Sequence, residues 1–110
     1  MTKTELIEQL TGLPAAILKR EEALIDLKVR HARAKESLTR VEATLLLSET
    51  INGKNADQRA AQLTLATAQE RDSLRALAEE IEWAEVEIRG LRDEFVAMRT
   101  VARLIGGSDE

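Results

Sequence analysis

Apolar residues return every three or four positions along almost the whole chain. Ile17, Leu24, His31, Leu38 and Leu45 fall at the a positions of a heptad, with Arg20, Leu27, Ala34, Val41 and Ser48 at d. After a break at Ile51-Asn52-Gly53-Lys54-Asn55, Thr67, Leu74, Ile81, Ile88, Phe95 and Ala102 take a. Leu63, Glu70, Leu77, Ala84, Leu91, Met98 and Ile105 take d. A hydrophobic period of about 3.5 residues is the mark of helices wound around one another. Folded back at Lys54, the two runs set each a against a d whose residue number adds with its own to 108: Leu45 with Leu63, Ala34 with Leu74, Leu27 with Ile81, Ile17 with Leu91. The pattern predicts an all-α fold, an antiparallel two-helix coiled-coil hairpin in a single domain, residues 1–110.

Local signals place the ends of the helices. Thr2 and Glu5 have capping-box spacing and predict a short helix over about 3–10. Thr11-Gly12-Leu13-Pro14 ends it, Gly12 as a permissive stop and Pro14 as a first-turn residue of the next helix. The first long helix is then expected over 14–51, the tip over 52–55 and the second long helix over 56–105, with a frayed tail over 106–110. Asn52 and Gly53 both tolerate the left-handed backbone of a helix stop, and Asn55 caps the next helix with Gln58 three residues on. In this plan the second helix overhangs the first, and Leu6, Ile7 and Leu10 of the short helix fold back to cover Phe95, Met98, Ala102 and Ile105.

Two further apolar stripes lie outside the seam. Leu18, Ile25, Ala32 and Leu46 share the b position of the first helix, beside its e flank; Ala76, Trp83, Gly90, Ala97 and Leu104 share the c position of the second, beside its g flank. A two-helix seam leaves most of each helix wet, so its core is marginal alone. The stripes therefore predict an oligomer interface on two sides, assembling the hairpin into a larger helical bundle or ring. Flanking charges add to this reading. Arg30 faces Glu80, but Glu21 faces Glu85 and Lys35 faces Arg71, two like-charge meetings for which another chain would supply countercharge.

Composition narrows the chemistry. Trp83 and Phe95 are the only aromatic residues, and cysteine is absent, which removes disulfides and thiolate metal sites. No apolar run approaches the roughly 18 residues of a membrane span, and the N-terminus lacks a secretory layout, so a cytoplasmic protein without membrane contact is expected. His31 is the sole histidine and sits in the seam; the acidic run Glu79, Glu80, Glu82, Glu85 and Glu87 spreads around several helix faces. Neither makes a metal site. Gly53-Lys54 lacks the preceding glycine, the following Ser or Thr and the strand of a phosphate loop. No nucleophile–base pair is present, so neither a catalytic residue nor a cofactor is expected.

Lys28, Arg30, Arg33, Lys35 and Arg40, with Lys54 at the tip, are the candidate nucleic-acid contacts, since a cation cluster can track phosphates. The formal charge of −4 and the missing stacking platform weigh against them, and the acidic 79–94 stretch is the expected neutraliser. Ile51-Asn52-Gly53-Lys54-Asn55-Ala56-Asp57-Gln58-Arg59 resembles the tip of short helical proteins encoded in phage and prophage genomes, where a Gly-Lys-Asn turn precedes an Arg and a long helix. Some of these are similar to recombination mediators of the UvsY type, and that resemblance implies ring assembly and work on single-stranded DNA. The residues themselves favour a non-enzymatic, self-associating structural or adaptor protein whose partners are itself and another protein. The alternative is a nucleic-acid-associated mediator.

Overall fold

A computed structural model describes residues 2–108. Among them are three helices, α1 (Lys3–Leu47), α2 (Ala56–Ala66) and α3 (Ala68–Ser108), and no strand. The chain divides into two compact units, one of Met1–Asp26 with Ile81–Glu110 and the other of Leu27–Glu80. Every heptad seam position named above is buried or half-buried except Arg20 and Ser48. In the first unit the most enclosed side chains are Leu6, Leu13 and Ile88; in the second they are Leu38, Ile51 and Thr67.

The capping box forms as expected, Glu5 N–H donating to Thr2 Oγ1 at 3.1 Å and Thr2 N–H to Glu5 Oε2 at 3.2 Å. The stop at residues 11–14 does not form. α1 runs unbroken through Gly12 and Pro14, so the short helix over 3–10 is its first turns. Proline inside a helix costs about 3 kcal/mol by removing one hydrogen bond and crowding the carbonyl four residues back. Against this, Leu6, Leu10, Leu13 and Ile17 continue the heptad in frame, and Leu6 and Leu13 are buried. Burying such side chains yields roughly 1.5–3 kcal/mol each, enough to hold the helix through the proline. Ile7, expected in the cover, is exposed, and Leu13, not expected there, is enclosed.

α1 ends at Leu47, four residues earlier than expected, because the next seam position is the polar, exposed Ser48. The left-handed residue of the connection is Glu49, at φ 62°, and not Asn52 or Gly53. A side chain is unfavourable in that conformation, which glycine adopts freely. Glu49→Gly is accordingly expected to raise unfolding free energy by about 0.5–1 kcal/mol, read as a higher urea midpoint; a lower midpoint would contradict the assignment of strain to this residue.

The rest of the connection is tied to α2 by side chains. Asn55 Oδ1 accepts the Gln58 N–H at 2.9 Å, the expected cap, while Gln58 Oε1 reaches one residue further back to the Lys54 N–H at 2.8 Å. Gln62 Oε1 accepts from the N–H groups of Asn52 (3.0 Å) and Gly53 (2.8 Å), and its Nε2 donates to Asn52 Oδ1. Arg59 donates to the Gly53 carbonyl at 3.2 Å.

The second long helix, expected over 56–105, is interrupted at Thr67, which is 0 % exposed, and α3 continues beyond 105 to Ser108. Of the expected frayed tail, 106–108 is helical, and Asp109 and Glu110 lie outside the described residues. Thr67 Oγ1 donates to the Leu63 carbonyl at 2.7 Å and accepts from Arg71 Nε at 2.9 Å, and the Arg71 guanidinium reaches Glu42 at 2.9 Å. Threonine bonding back to the carbonyl four residues earlier bends a helix. Here the interruption coincides with a polar chain from α2 through α3 to α1.

Candidate functional site

The nine residues of the two outer stripes are all exposed. On α1, Leu18, Ile25 (62 %) and Leu46 are the large ones, with Ala32 between them; on α3, Trp83 (70 %) and Leu104 (71 %) bracket Gly90 and Ala97, with Ala76 preceding them. A β-carbon built at Gly90 meets no atom within 4 Å, so the glycine does not serve a close helix approach inside the chain. Val29 and Val86 are also exposed. Val29 lies between Ile25 and Ala32 at spacings of four and three, and Val86 lies between Trp83 and Gly90 at three and four. These two valines were missed because a stripe confined to one heptad position looks narrower than a 3-4 alternation, which is the spacing of a seam. Exposed Leu47 and Leu65, near the connection, carried no periodic signal.

Charges beside the seam pair differently from the expectation. Glu21 meets Arg92, not Glu85, and Arg71 meets Glu42, not Lys35. Side chains on a helix lean toward its N-terminus, so each reaches past the residue expected directly opposite. At Glu21 and Arg71 the countercharge therefore comes from the chain itself, and these residues give no reason to invoke another copy. Arg20, a seam residue by number, carries its guanidinium outward to Glu87 at 2.7 Å, while Glu70 stays half-buried.

The candidate cations Lys28, Arg30, Arg33, Lys35, Arg40 and Lys54 are exposed as well. Arg40 lies 3.7 Å from Glu36 of its own helix. Among the described residues Arg30, Arg33 and Lys35 make no ion pair, so the acidic stretch of α3 does not neutralise them by direct contact. At Lys54 the geometry opposes an anion cradle, since the amides of residues 52–54 are taken up by Gln58 and Gln62. In the first unit a groove of about 260 Å³ is lined by Glu21, Leu24, Glu85, Ile88, Arg89 and Arg92, with the Glu21–Arg92 pair on its wall. His31 is half-buried, and among the described residues no three His, Asp or Glu side chains converge. No helix of the described residues is long and apolar enough to cross a membrane. Compared with protein-family models, with curated proteins and with solved structures, the chain matches none.

Proposed function

We propose that this chain is a non-enzymatic antiparallel helical hairpin that self-associates through its outer apolar faces and works as a structural or adaptor component. The observation that carries the reading is the division of apolar residues into two populations. The seam residues are enclosed, whereas Ile25, Trp83 and Leu104 follow the same helical period and stand in solvent. Periodic exposed apolar faces of this kind mark interaction surfaces rather than scattered surface residues. Ion pairs between α1 and α3 are in keeping with the antiparallel arrangement. Arg20–Glu87 and Glu21–Arg92 join α1 to α3 in one, and Glu42–Arg71 does so in the other. The residue numbers of these pairs add to 107 and 113, either side of the seam value of 108.

Light scattering across micromolar concentrations tests the proposal. A mass above that of one chain is expected; a monomer throughout the range would end the self-association reading. The nucleic-acid alternative has one observation in its favour, that among the described residues Arg30, Arg33 and Lys35 make no ion pair. Binding of single-stranded DNA that weakens steeply with salt would replace the adaptor reading by that one.

A further inference from the structure

The two units differ in charge. Met1–Asp26 with Ile81–Glu110 holds 12 acidic and 7 basic residues, and Leu27–Glu80 holds 9 basic and 8 acidic. The difference is concentrated beside the exposed apolar residues. On α1, Val29 and Ala32 are flanked by Arg33, four residues after Val29, and by Lys35, three after Ala32, alongside Asp26 and Glu36, the latter of which is 3.7 Å from Arg40. On α3, Gly90 and Ala97 are flanked by Asp93 and Glu94, which lie three or four residues from both. Arg33, Lys35, Asp93 and Glu94 are all exposed, and among the described residues none of these four makes an ion pair.

We infer that the face of α1 around Val29, Ala32, Arg33 and Lys35 is the docking surface for the Trp83–Gly90–Ala97 face of α3 in a second copy of this chain. The inference rests on the self-association proposed above and specifies its geometry. Packing the α3 face on its own counterpart would bring Asp93 and Glu94 against the same carboxylates. Packing the α1 face on its own counterpart would bring Arg33 and Lys35 together. Like charges forced together at an interface disfavour a contact, and complementary ones select it and set its register. Only the unlike pairing of the two faces satisfies both. The small residues Ala32 and Gly90 leave room for close approach and for the Trp83 ring, the largest side chain available to anchor the contact. Two different faces joined in this way leave one of each free on every pair. Copies then add head to tail into a closed ring or an open filament, unless both contacts close within one pair.

Two charge-reversed chains test this. One carries Arg33→Glu with Lys35→Glu, the other Asp93→Lys with Glu94→Lys; all four sites are exposed, and circular dichroism should show wild-type helicity in both. Each variant alone is expected to lose most of the wild-type assembled mass. An equimolar mixture is expected to regain it, because each reversed face then meets its opposite on the other chain. If the α1 variant alone keeps the wild-type mass, or the mixture stays dissociated, the unlike pairing is wrong although self-association stands. A wild-type chain that is itself monomeric removes the proposal of the preceding subsection instead, so the two failures are told apart.

Discussion

Ile88→Ala is expected to lower the unfolding free energy by roughly 2–5 kcal/mol, the range for truncating an enclosed aliphatic side chain. Ile88 is 4 % exposed, and the groove beside it also exposes the edge of Leu24, so the truncated site would open further to water. Both the transferred methyl groups and the vacancy contribute, and a helix face cannot collapse to refill the space. Val96, eight residues later, exposed and outside the two outer stripes, supplies the control: Val96→Ala should change stability by no more than about 0.5 kcal/mol. Urea unfolding at one fixed protein concentration measures both, since self-association would otherwise move the midpoint. Equal effects at the two positions would mean that the seam has been placed on the wrong face of α3.

Gly53→Ala should cost about 2–4 kcal/mol, from overpacking of about 1–3 and hydrogen bonds of about 1 each. Its backbone is not left-handed, so the cause is space. An added β-carbon would sit 2.7 Å from Gln58 Cβ and 2.9 Å from both Gln58 C and Arg59 N, closer than atoms tolerate. Two of the three are backbone atoms in the first turn of α2 and cannot rotate away. Moving Gly53 instead strains its bonds to Gln62 and Arg59. Gly90→Ala is the opposite case, with open space around the new methyl and up to about 1 kcal/mol of helix propensity gained. A urea midpoint for Gly53→Ala that is unchanged or raised would show that the crowding at Gly53 has no energetic consequence.

The enclosed positions were legible because their signal is repeated: one misread residue leaves the others in phase, and the heptad positions named above are buried or half-buried except Arg20 and Ser48. Features resting on a local motif fared unevenly. Asn55 and Thr2 behave as caps because a cap is satisfied by its own turn. Gly12 and Pro14 read locally as a stop, yet the heptad running through Leu10 and Leu13 decides the outcome. Thr67 was legible only as a seam position; its break depends on Arg71 and Glu42, the latter 25 residues away in sequence. Gln62 was invisible for a related reason, since its partners Asn52 and Gly53 become neighbours only once the connection has closed. The outer faces were legible as residues. Their partner is not, because exposure records what a single chain leaves uncovered and not what covers it.

The interruption at Thr67 bears on the order in which the chain assembles. α2 has no buried residue, so closing the connection early would gain a few hydrogen bonds and the shelter of Ile51 as its one enclosed apolar side chain. The turn is thus a poor nucleus. The first productive encounter in the Leu27–Glu80 unit is better sought near Glu42 and Arg71, 29 residues apart, where Thr67 is enclosed and Leu38 nearly so. Closing that longer loop costs only about 0.6 kcal/mol more for each doubling of its length, a modest entropic penalty for reaching contacts that repay it. Zippering would then run outward from the interior while α2 winds last, giving slower folding than a turn-first hairpin of the same size.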